Sequence, residues 1–446
     1  MNTIAIDCGA SYIKGALIAD GTILLQKQAA SPAVPNSGEI LSPVWIQALL
    51  PIVKEMLMQL ADGQDEVKLC ISNEMHGFML AYDDGTPFTD YISWQKEYGS
   101  ISVHGVCAMT ILGEERYTED IRSSGMPLRS GLPNCNLLYL NLAGFLGKTE
   151  KQLYFYTLGD YIVRMLTGTL SITCHPTNAA ATGLYDLRSG TWNAKLIVAC
   201  GGENIIFPEV GKTATDFNLN GTRVMVLPAI GDQQAALLGA GLERDGDLSF
   251  NLGTGAQVSK LISEYSDDSA GHIRNYQVRP FFDDKYIKTI PHLPSGRALN
   301  VYFRFIKDIL SKFCNGIEDR EIWSAIIRAE QECQHTDIKC QMTFFENPIT
   351  KETTGNIENI SEYSLTLGSL YYAIFQSLAD NFIWAAKEIE PDLSKVERII
   401  FSGGIAARLE SVRDRIMGSY DRNIKVVVAE NETLTGLYRY GNKMIG

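Results

Sequence analysis

Gly231-Asp232-Gln233-Gln234-Ala235-Ala236 follows an apolar run and opens a segment rich in small residues, which predicts a strand-to-helix junction. Two glycine turns flank this stretch in the chain, Ile6-Asp7-Cys8-Gly9-Ala10-Ser11 and Asn251-Leu252-Gly253-Thr254-Gly255-Ala256. Each turn lies between short apolar runs, a pattern that predicts a strand, a tight tip and a return strand. Because glycine permits positive φ and close approach, such a tip can point several backbone N–H groups at an anion. Two phosphate-holding tips and an acidic residue between them indicate phosphoryl transfer.

Asp232 has two interpretations. A carboxylate at this junction could remove the proton from a hydroxyl group as that hydroxyl attacks phosphorus. An ordinary N-cap aspartate would only satisfy the first N–H groups of the helix, which is common for Asp. The residues that follow, Gln233 to Ala236, add nothing to capping.

The first glycine tip is a candidate cation and phosphate site. Asp7 could hold Mg²⁺ through water while the amides of Gly9, Ala10 and Ser11 hold phosphate, or it could only cap its own turn. Lys14 on the return strand is placed to reach a phosphate, although a solvated lysine fits the strand equally well.

Two glycine turns in the second half are candidate nucleotide contacts. Gly253, Thr254 and Gly255 offer amides and a hydroxyl group for phosphate oxygens, or form a plain hairpin. Gly403 and Gly404, between a predicted strand and a helix, would let a flat ligand lie against the backbone, or form only a structural turn.

Polar side chains near a tryptophan in the first half suit a polyol, which needs several hydrogen bonds and a stacking face. The candidates are Met75, His76, Trp94 and Gln95. A lone histidine is also common as a satisfied core residue.

Length and composition bound the function further. The chain has 446 residues, which suits two or three domains, and a net charge of −13. An acidic protein gains nothing from counterion release on nucleic acid, and anionic membranes disfavour it for the same reason. We therefore expect neither partner, although a homodimer stays open.

The cysteine pattern and the start of the chain point to the cytoplasm. Nine cysteines at irregular spacing, without a C-x-x-C pair, predict reduced thiols and no zinc site. The first ten residues lack a basic region and place Asp7 where a signal peptide would be apolar. No uninterrupted apolar stretch approaches the ~18 residues that span a bilayer.

The charged stretch 243–247 predicts a domain boundary. After it, the strand–tip–strand layout of the N-terminus returns, so we expect two similar α/β domains, 1–242 and 243–446, facing each other across a cleft. Asp20-Gly21 predicts a hairpin turn in the first domain. Ser361 is the expected cap of a long helix that reaches residue 388.

Taken together and in order, these segments resemble the FGGY family of carbohydrate kinases. The matching runs are I-A-I-D-C-G-A-S-Y-I-K-G at 4–15, E-M-H-G at 74–77, I-S-W-Q at 92–95, L-G-D-Y-I-V-R-M-L-T-G at 158–168, T-N-A-A-A-T-G-L-Y-D-L at 177–187, G-D-Q-Q-A-A-L-L-G-A-G at 231–241, N-L-G-T-G at 251–255 and F-S-G-G at 401–404. The resemblance covers nearly the whole chain.

The resemblance implies two actin-like, ribonuclease-H-like domains around a central cleft, with ATP and Mg²⁺ as cofactors and a sugar hydroxyl as the phosphoryl acceptor. By the same likeness, Asp232 is the general base and Asp7 belongs to the metal and phosphate tip. Thr254 and its glycines hold phosphate, and Gly403 and Gly404 border the adenosine. Met75, His76 and Trp94 line the sugar pocket, with Gln95 and Asp232 beside them. We therefore expect domain 1–242 to carry the sugar pocket and Asp232, and domain 243–446 to carry most of the nucleotide site.

The pocket runs, with R-P-F-F at 279–282, look most like the ketose branch of xylulokinases and sedoheptulokinases. Three positions depart from that branch. Lys96 and Tyr98 stand where an aspartate and an arginine are usual, and Glu74 stands where a glutamine is usual. The acceptor could therefore also be ribulose, a pentitol or glycerol. A non-catalytic, actin-like ATP-binding sensor or scaffold is the alternative from another class.

Overall fold

The computed structural model describes residues 1–33, 40–253, 256–265, 276–314, 316–344, 353–420 and 423–444. The chain forms two compact units. The first unit comprises Met1–Gly239, Val278–Tyr286 and Asn431–Gly446, and the second comprises Ala240–Gln277 and Ile287–Glu430. Our division of function between domains 1–242 and 243–446 stays a prediction. That division did not include the two later segments of the chain that belong to the first unit, Val278–Tyr286 and Asn431–Gly446.

The described strands and helices alternate along both units. The strands are β1 (Asn2–Cys8), β2 (Tyr12–Ala19), β3 (Thr22–Ala30), β4 (Glu66–Asn73), β5 (Met79–Ala81), β6 (Leu153–Tyr156), β7 (Thr173–Cys174), β8 (Tyr185–Asp186), β9 (Thr191–Trp192), β10 (Ile205–Ile206), β11 (Glu209–Val210), β12 (Thr215–Leu219), β13 (Thr222–Val226), β14 (Ile230–Gly231), β15 (Asp247–Asn251), β16 (Ala256–Ile262), β17 (Gln277–Pro280), β18 (Tyr286–Leu293), β19 (Lys339–Gln341), β20 (Asn356–Glu358), β21 (Arg398–Ser402) and β22 (Lys425–Val428). The α-helices are α1 (Val44–Ala61), α2 (Ala108–Leu112), α3 (Thr118–Ser123), α4 (Pro133–Leu142), α5 (Leu158–Thr167), α6 (Pro176–Ala180), α7 (Ala194–Ala199), α8 (Asp232–Ala240), α9 (Gly296–Ser311), α10 (Asp319–Glu332), α11 (Leu367–Ile389), α12 (Gly404–Arg408), α13 (Glu410–Met417) and α14 (Glu432–Lys443).

The main sheet of the first unit has seven strands in the order β12-β13-β4-β1-β2-β3, with β14 also paired to β4. β1 is antiparallel to β2 and parallel to β4, and its register places Asp7 beside both Lys14 and Ser72. β14 also runs parallel to β4 and ends at Gly231. Because β1, β4 and β14 all end at one edge, Asp7 and Asp232 lie at the same edge of the sheet.

Helix α1 covers β1, β2 and β3. It is the one helix in the described ranges that is long and apolar enough to cross a membrane by length and composition. Its residues Leu49, Val53 and Leu57 are buried in the core of the first unit, and a Cβ on Gly15 would lie 2.6 Å from Sδ of Met56. Core packing therefore accounts for the apolar face of this helix.

The second unit repeats the strand–tip–strand layout, as the sequence predicted. Its strands lie in the order β18-β16-β15-β21-β22 within a six-stranded sheet that also contains β17. β15 is antiparallel to β16 and parallel to β21, which matches the relation of β1 to β2 and β4. Its core forms around α11, whose inner face buries Tyr371, Phe375 and Phe382.

The expected start of α11 at Ser361 is wrong. The helix begins at Leu367, and the Thr366 hydroxyl accepts a hydrogen bond of 3.1 Å from the backbone N–H of Ser369. Ser361 lies in a preceding turn, where its N–H donates to Oγ of Ser364 at 2.8 Å. Both hydroxyl residues suit a cap, and the apolar residues that pack into the core begin only after Thr366.

Candidate functional site

Asp7 occupies the end of β1 and is held from the neighbouring strand. The hydroxyl of Ser72 donates to Oδ1 of Asp7 at 2.8 Å. Burial raises the pKa of Asp7 to about 6, although the Ser72 hydrogen bond and the charge of Lys14 oppose that rise. The structure thus brings Lys14 and Asp7 together, as expected from the strand pairing.

Ser31, a residue that sequence analysis missed, holds the first glycine tip through two hydrogen bonds. The Ser31 hydroxyl donates to the carbonyl oxygen of Gly9 at 2.6 Å, and the Ser31 N–H donates to the carbonyl oxygen of Ser11 at 3.0 Å. The Gly9 N–H donates to the carbonyl oxygen of Tyr12. Ala10 and Ser11 are exposed at the tip, so their backbone is accessible to a ligand.

Asp232 is the first residue of α8. Its Oδ1 accepts a 2.8 Å hydrogen bond from the N–H of Gln233, one of the N–H groups at the helix start that have no partner within the helix. Burial and the nearby charge of Asp7 raise the pKa of Asp232 to about 7, and the charge of Glu74 adds to that rise. A carboxylate with this pKa can exchange a proton near neutral pH.

Glu74 is buried beside the same edge. Its backbone N–H donates to the carbonyl oxygen of Cys8 at 3.1 Å. Burial raises the pKa of Glu74 to about 7, against hydrogen bonds with Tyr91 and Ser93. When protonated, this carboxyl group carries one O–H donor beside an acceptor oxygen, whereas a glutamine side chain carries two N–H donors and one acceptor oxygen.

Met75 and His76 lie next to the start of α8. A Cβ on Gly231 would lie 2.7 Å from Sδ of Met75, so a side chain at position 231 would displace the thioether from its present place. His76 has a φ of 65°, and its Nδ1 lies 2.8 Å from the carbonyl oxygen of Ala181. A carbonyl oxygen can only accept, so we assign the ring proton to Nδ1. Nε2 then accepts from Nη2 of Arg279 at 3.2 Å.

Arg279 is the site residue that sequence analysis failed to nominate. It stands in β17, is 3% exposed, and donates to Oε1 of Gln233 as well as to His76. Burial lowers the pKa of Arg279 to about 9, while the charge of Asp232 opposes that change. The available signal was an arginine directly before the apolar Pro280-Phe281-Phe282, where a solvated side chain is not expected.

Trp94 and Gln95 are at the surface. The Trp94 side chain is 42% exposed, and the Gln95 N–H donates to Oγ of Ser93. At the departing positions, the carbonyl oxygen of Lys96 accepts from Asn136 at 2.8 Å, and Tyr98 stacks on Tyr139. The part of Trp94 and Gln95 in binding a sugar stays a prediction.

In the second unit, the structure brings two of the predicted nucleotide turns together. The Leu252 N–H donates to the carbonyl oxygen of Ser402 at 2.8 Å, and the Ile405 N–H donates to that of Leu252. Gly403 has a φ of 89°, and a Cβ on it would lie 2.9 Å from the backbone nitrogen of Gly253. Thr254 and Gly255 lie outside the described residues.

Several known proteins resemble this chain in sequence or in fold. The profile described as "FGGY family of carbohydrate kinases, N-terminal domain" matches residues 2–239. The sedoheptulokinase of Mus musculus is 22% identical over 278 residues, which cover 59% of this chain and 57% of that protein. The match thus spans little more than half the length of this curated relative.

Solved structures match over almost the full chain. A ligand-bound xylulose kinase from Lactobacillus acidophilus has a TM-score of 0.82 at 16% identity, covering 100% of this chain and 89% of that one. A glycerol kinase from Plasmodium falciparum, solved with ADP, has a TM-score of 0.77 at 15% identity, covering 98% and 87%. These likenesses confirm the predicted fold class of two actin-like α/β units.

Proposed function

The chain belongs to the FGGY family of carbohydrate kinases, as its motifs predicted, and we propose that it is an ATP-dependent sugar kinase in which Asp232 is the general base. The observation that carries this proposal is the setting of Asp232. Its carboxylate stands at the start of α8, at the same edge of the sheet as Asp7, with a pKa of about 7. Proton transfer is most efficient when the pKa of the base lies near the working pH.

In the proposed reaction, a sugar hydroxyl loses its proton to the Asp232 carboxylate while its oxygen forms a bond to the γ-phosphorus of ATP. The bond from that phosphorus to the bridging oxygen of ADP breaks as the new bond forms. General base catalysis of this kind contributes about 10²–10⁴-fold in rate. Alignment of the reactants supplies the larger share, since phosphoryl transfer needs little covalent help from protein groups.

The acidic residues of the first unit fit Mg²⁺. Asp7 and Asp232 place hard carboxylate oxygens close enough that the charge of Asp7 raises the pKa of Asp232. No cluster of three or more potential ligands from His, Cys, Asp or Glu occurs in the described ranges. Mg²⁺ suits such a partial site, because it keeps several waters and takes its other ligands from substrate phosphates. We assign Asp7 as its holder, and the bound ion would neutralise phosphate charge.

We assign ATP recognition to backbone at both glycine regions. In the first unit, the backbone N–H groups of Ala10 and Ser11 and the side chain of Lys14 would contact phosphate oxygens, and Gly9, whose N–H donates to Tyr12, would shape the tip. In the second unit, Gly253 with Thr254 and Gly255 would contact phosphate, and Gly403 with Gly404 would border the adenosine. The close approach of Gly403 to Gly253 supports this assignment, since it brings the backbone of the two glycine turns to one place.

The sugar pocket is proposed at Met75, His76, Trp94, Gln95 and Asp232. We favour a ketose of the sedoheptulose or xylulose type as the substrate, because similar proteins are named sedoheptulokinase and xylulose kinase. We also propose that the protein acts in the cytoplasm without a nucleic-acid or membrane partner. It would be a monomer or a homodimer. Light scattering of the purified protein would determine which of the two it is.

The decisive experiment is a coupled assay of ADP release by Asp232→Asn over a panel of ketoses, aldoses, pentitols and glycerol. We expect wild-type turnover with at least one sugar and none above background in the variant, while calorimetry shows that the variant still binds ADP. Asp65→Asn, an exposed aspartate in the same unit, is the matched control and should keep full activity.

Near-normal turnover in Asp232→Asn would remove Asp232 as the base. Hydrolysis of ATP that no sugar stimulates would instead support the sensor or scaffold alternative. Stimulation by glycerol or a pentitol alone would keep the kinase and replace the ketose.

A further inference from the structure

Arg279 reaches the candidate site from a segment that is remote in sequence from the other site residues. It belongs to Val278–Tyr286, the first of the two segments by which the chain returns to the first unit. Its Nη1 donates to Oε1 of Gln233, the residue after Asp232, and also lies 3.6 Å from Sδ of Met75. One guanidinium group therefore contacts both the 74–77 turn and the first turn of α8.

The second amino group of Arg279 continues the connection. Nη2 lies 3.2 Å from Nε2 of His76, whose Nδ1 faces the carbonyl oxygen of Ala181 at 2.8 Å. With the proton on Nδ1, the imidazole donates at one nitrogen and accepts at the other. The order of hydrogen bonds is thus Gln233, Arg279, His76 and Ala181, and it joins four separate stretches of the first unit.

The planar fork of arginine explains why this residue type occupies the position. Its two amino groups are fixed in one plane and diverge, so they can donate at once to two acceptors on different segments. A lysine ammonium group is a single centre on a flexible stem and cannot hold both acceptors in one fixed geometry. The backbone of His76, with its φ of 65°, is uncommon for a residue other than glycine and is held by these partners.

We propose that Arg279 is a positioning residue that fixes the 74–77 turn against the start of α8, so that the Asp232 carboxylate and the sugar-contacting turn keep one relative arrangement. The inference rests on the proposed function, because Arg279 affects the reaction rate only through the placement of Asp232 as the general base. Arg279 acts on the reaction through Gln233 and His76. The charges that act on the guanidinium include Asp232, of opposite sign, and Arg129, of like sign.

The kinetic test uses Arg279→Ala and Arg279→Lys in the full chain. Misplacement of reacting groups by about 1 Å costs on the order of 10²-fold in rate, so we expect kcat to fall about 10²-fold in both variants. The KM for ATP should stay unchanged, because the nucleotide contacts lie elsewhere. Arg279→Gln, which keeps hydrogen-bond donors, serves if the alanine variant does not fold.

Arg439→Ala is the matched control. Arg439 donates to the carbonyl oxygen of Leu238 at 2.9 Å, so it anchors the opposite end of α8. Removing the Arg439 side chain tests whether any weaker support of α8 lowers kcat, because the contacts of the first turn of α8 stay in place. We expect kcat within about twofold of the wild type, which is under 1 kcal/mol in the barrier.

A second measurement needs no activity. Nitrogen-15 spectra of the histidine side chains should show His76 as the Nδ1–H tautomer in wild type and in Arg439→Ala. The Nε2 resonance should move in Arg279→Ala and Arg279→Lys, since its donor is lost or displaced. If the wild type phosphorylates nothing, this arm still tests the bridge, and the proposed function fails on its own.

An unchanged Nε2 resonance in Arg279→Ala would overturn the inference, and so would a kcat equal to that of the wild type. A rise in the KM for ATP as large as the fall in kcat would overturn it too, because that pattern marks general damage to the fold. A selective fall in kcat with a shifted Nε2 resonance supports it.

Discussion

Gly239 of α8 and Gly436 of α14 meet backbone to backbone. A Cβ on Gly239 would lie 1.7 Å from the carbonyl oxygen of Glu432, and one on Gly436 would lie 1.8 Å from the carbonyl oxygen of Ala235. Both distances are far inside van der Waals contact, so neither glycine tolerates a side chain unless a helix moves. The helix that begins with Asp232 is therefore seated directly on the last helix of the chain.

Gly436→Ala should destabilise the first unit by about 3 kcal/mol or more, because backbone atoms cannot yield as a side chain can. We expect a lower midpoint in thermal unfolding and a loss of turnover as α8 shifts. Gly147→Ala is the control, since nothing lies within 4 Å of its added Cβ. Equal stability of Gly436→Ala and Gly147→Ala would refute the direct seating of the two helices.

Glu74→Gln should make stability less dependent on pH. Burial raises the pKa of Glu74 from 4.5 to about 7, so the folded state binds its proton more tightly than the unfolded state. That contribution is fully present below pH 4.5 and is lost as the pH rises through 7. The loss amounts to about 3 kcal/mol. The glutamine variant lacks this loss, so its stability relative to wild type should increase across that window.

Denaturant unfolding at pH 5 and pH 8 measures this difference. Glu150→Gln, at an exposed position, provides the control and should follow the wild type at both pH values. A gap between Glu74→Gln and wild type that is the same at both pH values would contradict the buried, protonated carboxyl group.

Gly403→Ala should weaken ADP binding by about tenfold or more, or about 1.4 kcal/mol. The φ of 89° costs an alanine about 1–2 kcal/mol, and its Cβ would lie 2.8 Å from the carbonyl carbon of Leu252. Gly404→Ala meets no protein atom within 4 Å, so it should keep wild-type stability. Any loss of ADP affinity in Gly404→Ala would then come from contact between the added methyl group and the bound nucleotide. Wild-type affinity in both variants would exclude adenosine from this turn.

Arg398→Met should destabilise the second unit by about 3–5 kcal/mol, because it leaves a buried carboxylate uncompensated. Nε of Arg398 donates to Oδ1 of Asp247 at 2.8 Å, and Oδ2 of Asp247 also accepts from the N–H groups of Glu243 and Arg244. Lys307→Met breaks the exposed pair with Asp319 and should cost at most about 1 kcal/mol. Calorimetry compares the two, and similar midpoints would count against a structural role for the buried pair.

Local signals explain what the sequence predicted correctly. Asp20 and Gly21 both have positive φ and join β2 to β3, as an Asp-Gly pair between apolar runs predicts. The glycine turn after β1 and the junction before α8 were found for the same reason. The start of α11 was missed because Ser361 and Thr366 carry equivalent capping signals, and only packing distinguishes them.

Long-range contacts explain what was missed. Ser31 ties the first tip from the far end of β3, Ser72 reaches Asp7 from β4, and Arg279 contacts His76 from 203 residues away. Ser31 and Ser72 stand in no motif, and the R-P-F-F run that begins with Arg279 indicated no role for the arginine itself. Each became visible only when the sheet and its helices brought distant segments together.

The amino-acid sequence alone determined the strand–tip–strand units, their glycine turns and the acidic residue at the helix start, because periodicity and turn chemistry act over a few neighbouring residues. Only the tertiary structure decided the chemistry of Asp232. Its proton affinity depends on burial and on the charges of Asp7, Glu74 and Arg279, which lie far from it along the chain and act on it only once the chain is folded.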